Sequence, residues 1–292
     1  MSLTAIGPEQ IARRLYGARR IHTPLENPAA VDAAAIEAFH RDGFLAVANV
    51  FTAAEMDTAK EALRDLIMGR PFKGLEFEAG VDMSNLSAEQ REIHVRKIMT
   101  IVPHEPRLAN LAGHAALKQL VHRLLGNESN LIQDMALLKP PRGGREKPWH
   151  QDTAYFLYEP LEGIIGTWTA LDPATPENGC MHVIPGSHRH GPQPHYHDRD
   201  CQLPDEAVDV DNVLAVPLQP GGVLLFSGLL HHGTPPNQSA DRRRALQFHY
   251  ASTACRPIDG NRHEELFHDH IGYGGCRDWD TNKKTRRVDE LK

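Results

Sequence analysis

NLIQDMALLK at residues 130–139 opens a series of short apolar runs that continues with WHQDTAYFLY (149–158), GIIGTWTALD (163–172), CMHVIP (180–185), GGVLLFSG (221–228) and RALQFHYAS (244–252). Each run has strand length, carries β-branched, aliphatic or aromatic side chains, and is bounded by the Gly, Pro and Asn that turns require. No helical pattern is interleaved with them. That texture argues against a parallel sheet with crossover helices and for a sandwich or jelly-roll barrel.

Ahead of this series the chain reads as helices with one strand. Asp32 to Arg41 carries apolar Ile36 and Phe39 and stops at Asp42-Gly43, after which GFLAVANVF (43–51) has strand composition. Thr52 and Glu55 have capping-box spacing and start a helix with Met56, Leu63 and Ile67 on one face, ending at Gly69. A third helix is expected over roughly 107–125, where Leu108, Leu111, Leu117, Leu120, Val121 and Leu124 recur before Gly126. The organisation expected is one domain over 1–292: a mainly helical portion (1–129) packed on the barrel, a jelly-roll core (130–252) and a C-terminal extension (253–292). No repeat of fixed period is visible. The long connection at 186–212, with His188, His190, His195 and His197, is expected to be a solvated loop over the barrel mouth.

The 292 residues are 40% hydrophobic with a net charge of −6, which suits a packed domain and provides no general attraction to nucleic acid or an anionic membrane. The basic triplet Arg242, Arg243 and Arg244 is too short to follow a phosphate backbone. Cys180, Cys201, Cys255 and Cys276 form no C-x-x-C pair, so free thiols are expected. No secretory leader or membrane-length apolar run is visible, and a soluble cytoplasmic protein is the expectation.

His150 and Asp152 are two apart in a strand-like run, so both project to one face and Gln151 to the other. An imidazole beside a carboxylate supplies two ligands of the facial triad that holds non-haem iron(II) and leaves positions open. H-x-D is common by chance, however, and a third ligand has to arrive from another strand. His231 and His232, at the end of GGVLLFSGLLHHG (221–233), are the candidates, and only one of the two can face inward.

Taken together, WHQDTAYF (149–156), TWTALD (167–172), NGCMHVIPGSH (178–188) and HGTPPNQSADRRRAL (232–246) resemble the phytanoyl-CoA dioxygenase family in order and spacing, and FHRDGFLAV (39–47) is similar to that family's opening. The resemblance implies a mainly β fold, a double-stranded β-helix (cupin-like jelly roll) with flanking N-terminal helices. It also implies an iron(II)- and 2-oxoglutarate-dependent dioxygenase using molecular oxygen. His150, Asp152 and His232 match its metal ligands, and the choice of His232 over His231 rests on the Gly, hydroxyl residue and Asn that follow it. Arg243 matches the arginine that binds the far carboxylate of 2-oxoglutarate; a guanidinium can grip a carboxylate through two parallel hydrogen bonds, which Lys cannot. Thr234 stands where the family has Ser and would join Arg243. Gln133, Trp168 and Lys97 match positions that contact the cosubstrate. Asn178-Gly179, the Pro185–His188 turn and Asn237 are expected to shape loops.

The same resemblance implies decarboxylation of 2-oxoglutarate to succinate and carbon dioxide, coupled to oxidation of a small-molecule substrate. Presence of Asp152 favours hydroxylation over halogenation, for which relatives keep a small residue there. Acyl-CoA thioesters, amino acids, osmolytes, phosphonates and natural-product intermediates all remain open as substrates. Two other readings stand beside this one: a jelly-roll protein that binds metal or a small ligand without turnover, and a zinc hydrolase on a similar barrel, which would have no use for Arg243 or Thr234.

Overall fold

Strand β15 (Arg243–Ser252) organises the molecule, because its alternate side chains enter two different cores. Leu246, Phe248 and Tyr250 point one way and Ala245 the other, all buried. The computed structural model describes residues 7–69, 74–78, 82, 85–267 and 276. In it β15 lies at the centre of a seven-stranded sheet ordered β2 (Phe44–Val47), β13 (Val223–Ser227), β8 (Ile164–Ala170), β15, β5 (Ser129–Lys139), β4 (Val95–Met99), β3 (Leu75–Phe77). Every neighbouring pair in it is antiparallel. A five-stranded sheet, ordered β1 (Arg20–Ile21), β12 (Leu214–Val216), β9 (Met181–Val183), β14 (His232–Thr234), β6 (Lys147–His150), completes the jelly roll.

The large sheet is covered on both faces, which is why its strands read as nearly unbroken apolar runs. On the outer face, Leu45, Val223, Leu225, Leu246 and Phe248 pack on Phe39 of α2 (Ala33–Asp42), Met56 and Leu63 of α3 (Ala53–Met68), Leu108 of α5 (Pro106–Ala112) and Leu117 and Val121 of α6 (Ala115–Leu125). On the inner face, Phe44, Trp168, Leu224 and Phe226 meet Met181, Val183, Leu214 and Val216 of the small sheet. Each such fully buried large side chain contributes roughly 1.5–3 kcal/mol. Toward one end of this inner core the side chains turn polar, and there the site lies.

Several local expectations need correction. The helix expected over 107–125 is two helices, α5 and α6, separated at Gly113-His114; Ala115 and Ala116 carry the apolar pattern across the break and hide it. The strand expected at 43–51 closes at Val47, since Asn49 takes a left-handed backbone (φ 54°) that no strand continues through. The first 129 residues contain β1, β3 and β4 besides β2, together with helices α1 (Pro8–Leu15) and α4 (Ala88–Ile93). The Thr52–Glu55 capping box is reciprocal, as the spacing predicts.

The connection at 186–212 is packed rather than solvated. It folds into a short hairpin of β10 (Tyr196–His197) and β11 (Cys201–Gln202), and His195 is 2% exposed. Free thiols are also not the rule: Cys201 and Cys276 form a disulfide, their Cα atoms 5.7 Å apart, while Cys180 and Cys255 are free. These partners are 75 residues apart, so only tertiary structure could reveal the pairing. In the C-terminal extension, β16 (Arg256–Pro257) pairs with β7 (Tyr158–Glu159) and α7 (Gly260–Phe267) follows; residues 268–275 and 277–292 lie outside the described residues. Among the described residues no helix is long and apolar enough to cross a membrane.

Candidate active site

His150 is the last residue of β6 and sits directly across from His232, the first of β14, in the antiparallel register of the small sheet. The strand expected through residue 158 stops here, and Asp152 opens a 3-10 turn over Asp152–Tyr155. Gln151 between them keeps an extended backbone (φ −115°, ψ 130°), so the alternation survives and Asp152 returns to the face of His150. Gln151 is anchored on the opposite side, donating to the carbonyls of Leu229 (2.7 Å) and Gly191 (2.9 Å) and accepting from the Gln193 amide (2.7 Å). His195 accepts from the Gln151 amide at 2.9 Å, so the 186–212 connection braces the ligand segment from behind.

His150, Asp152 and His232 converge: one donor atom from each lies within 4.8 Å of the others, and all three side chains are buried. Asp152 Oδ1 is 3.2 Å from His150 Nε2, and Asp152 Oδ2 is 3.5 Å from His232 Nε2. Each histidine is oriented through its other nitrogen, with Nδ1 2.7 Å from the Pro148 carbonyl in one and 2.9 Å from the Leu230 carbonyl in the other. A carbonyl can only accept, so both Nδ1 atoms carry the proton and both Nε2 lone pairs face the gap, as metal-ligating imidazoles require. Burial, reinforced by His232, lowers the His150 pKa to about 4 and keeps it neutral. This donor set fits a divalent metal. His231 points elsewhere, its ring near that of His190.

Arg243 begins β15 and is 2% exposed. Among the described residues it meets no carboxylate within ion-pair distance; its Nη1 donates to the Leu137 carbonyl at 3.2 Å and its Nε has no partner. The guanidinium lies 5.2 Å from the ring centroid of Trp168, and burial lowers its pKa to about 10. A buried, under-satisfied guanidinium beside a metal-type donor set is the complement of an organic carboxylate. Arg242 and Arg244 turn outward to Glu92 and Asp172, as strand alternation predicts.

A cavity of about 560 Å³ connects the triad with Arg243. Thr234, Gln133 and Lys97 line it as well, so the structure brings these three to the triad and Arg243. Lys97 is not free there, being paired to Glu76 at 2.9 Å. Trp168 is fully buried, does not line the cavity, and supports the guanidinium from beneath. Sequence reasoning missed the opposite wall, where Arg96 bridges Glu76 and Asp200 and where Lys147 holds Asp200 at 3.0 Å and the Tyr155 hydroxyl at 2.8 Å. It also missed Gln247 and His249 on the inner face of β15, whose side chains reach Asp152. Their signal was present: two polar residues at i and i+2 in an otherwise apolar strand.

The phytanoyl-CoA dioxygenase (PhyH) family model matches residues 39–245, a stretch that contains the triad and Arg243. A probable phytanoyl-CoA dioxygenase of Caenorhabditis elegans is 27% identical over 254 residues, covering 78% of each chain. The ectoine dioxygenase of Sphingopyxis alaskensis is 29% identical over 236 residues, covering 74% of each. Among solved structures, EvdO2 from Micromonospora carbonacea var. aurantiaca complexed with 2-oxoglutarate superposes with a TM-score of 0.63 at 29% identity, covering 78% of this chain and 93% of its own. EctD from S. alaskensis with bound Fe gives a TM-score of 0.65 at 25% identity, with 83% of each chain covered. With the family model spanning most of the chain and the fold shared with these solved structures, the chain belongs to the phytanoyl-CoA dioxygenase family of iron(II)- and 2-oxoglutarate-dependent oxygenases.

Proposed function

We propose that this dioxygenase holds iron(II) through His150, Asp152 and His232, binds 2-oxoglutarate through Arg243 and Thr234, and hydroxylates a small molecule seated in the remaining cavity. The observation that carries the residue assignment is the buried Arg243 guanidinium, which opens on the same cavity as the triad and among the described residues has no carboxylate within ion-pair distance. When bound, the iron and its cosubstrate supply oxygen activation coupled to decarboxylation of 2-oxoglutarate to succinate and carbon dioxide. The chain's own part is placement. His150 and His232 present Nε2 because backbone carbonyls fix their Nδ1 protons. Arg243 orients the cosubstrate by its far carboxylate, steadied by the Trp168 ring below.

Met135 and Tyr155 line the cavity and are available to hold a substrate carbon near the triad, while Gln133, on the same wall, is available to the cosubstrate. The Glu76, Arg96 and Asp200 network closes the far side of that pocket and is the part available to choose the substrate. A zinc hydrolase would leave Arg243 buried without purpose. Succinate release measured across a metabolite library tests the proposal, together with anaerobic spectra. Iron(II) plus 2-oxoglutarate should produce the visible charge-transfer band of the chelate, and a flat spectrum would refute the assignment.

A further inference from the structure

Asp152 is gripped from a strand that supplies none of the three donors. β15 turns Arg243, Ala245, Gln247 and His249 toward the inner face, every second residue. His249 Nε2 lies 2.6 Å from Asp152 Oδ2, and Gln247 Nε2 lies 3.1 Å from the same oxygen. A carboxylate accepts only, so both contacts are donations to Asp152. That fixes the His249 proton on Nε2. Its Nδ1, buried without a partner among the described residues and on a ring 4.8 Å from that of Phe156, is then a bare lone pair, the cheaper of the two groups to leave unmet. It also fixes the Gln247 amide with nitrogen toward Asp152, since its oxygen there would be repelled. The 3.2 Å between Gln247 Nε2 and His249 Nε2 is thus the spacing of two donors converging on one acceptor.

We propose that Gln247 and His249 are positioning residues that clamp Oδ2 of Asp152 and so leave Oδ1, 3.2 Å from His150 Nε2, as the single carboxylate oxygen offered to the metal. A carboxylate that binds through both oxygens fills one more coordination position than one that binds through a single oxygen, and the proposed chemistry needs those positions for cosubstrate and oxygen. The clamp is stiff because β15 is hydrogen-bonded on both sides, to β5 and to β8. This inference rests on the iron assignment above and adds to it the mode of attachment.

The test compares His249→Phe, which keeps a ring but removes the donor, His249→Gln, which restores one, and Gln247→Met. Two readouts are taken under anaerobic conditions: iron(II) affinity by competition with a chromogenic chelator, and the visible spectrum of the cobalt(II)-substituted protein, which reports coordination number. The clamp predicts that His249→Phe and Gln247→Met each weaken iron by roughly 10–100-fold and alter the cobalt spectrum, while His249→Gln recovers most of both. Wild-type affinity and spectrum in His249→Phe would overturn it. Should His249→Phe fail to fold, Gln247→Met decides the matter, because it addresses the same oxygen. Wild-type protein that takes up no iron would overturn the site assignment itself, an outcome distinct from failure of the clamp alone.

Discussion

Replacing Arg243 with Met separates a cosubstrate anchor from a structural cation. Burying an unpaired guanidinium costs several kcal/mol, and here it is offset by a single hydrogen bond to Leu137 and by the face of Trp168, each on the order of 1–3 kcal/mol. Met fills similar space, and among the described residues its introduction leaves no orphaned carboxylate behind. The ligand-free variant should therefore lie within about 1 kcal/mol of wild type, in contrast to the ~3–5 kcal/mol lost when a true buried ion pair is broken. Binding of 2-oxoglutarate should suffer far more. Losing a buried two-pronged contact at about 3 kcal/mol weakens affinity on the order of 100-fold.

Thermal or urea unfolding with anaerobic iron(II), with and without 2-oxoglutarate, reads both quantities. At a ligand concentration of about 100 times the wild-type Kd, wild type gains about 2.7 kcal/mol, and the variant, with its Kd near that concentration, gains only about 0.4 kcal/mol. Full ligand stabilisation in Arg243→Met, or a ligand-free loss of 3 kcal/mol or more, would refute the reasoning.

His232→Ala should abolish iron-dependent succinate formation while His231→Ala keeps most of it, because only the former joins the triad; the reverse pattern in a succinate assay would mean the ligand is misassigned. Gly166→Ala would place a Cβ 2.4 Å from the Phe226 ring, itself 4.7 Å from that of His232, so stability should fall by about 1–3 kcal/mol and iron affinity with it, as calorimetry and metal titration would report. Burial raises the Asp200 carboxyl, but Lys147 and Arg96 outweigh it and hold it below its unfolded value, so its stabilisation is full above about pH 4 and is lost as pH falls through the folded pKa. Urea unfolding of Asp200→Asn against wild type should show a gap of about 3 kcal/mol near neutrality that holds down to about pH 4 and narrows progressively below it, and a gap independent of pH would contradict the pairing. Cys276→Ser opens a cross-link spanning 75 residues and should cost about 2–4 kcal/mol in denaturant titrations under non-reducing conditions.

The residues legible in the sequence are those whose roles are tied to local spacing. His150 and Asp152 share a face because they are two apart, while His232 and Arg243 were picked out by the motif around them, and alternation allowed Arg243 inward only with Arg242 and Arg244 outside, where they meet Glu92 and Asp172. What was not legible depends on partners distant in the chain. Nothing local marks His249 as the neighbour of an aspartate 97 residues earlier, nor His195 as the acceptor for Gln151. Arg96 and Asp200, which meet across the cavity, read as ordinary surface charges until β4 and the β10–β11 hairpin are brought together. The helix break at Gly113 escaped notice because alanines kept the apolar pattern continuous through it.

One strand, β15, carries both the proposed anchor for the cosubstrate at its first residue and the grip on the metal-binding aspartate near its other end. A hydrogen-bonded strand in mid-sheet does not stretch, so the gap between those two points is a fixed gauge.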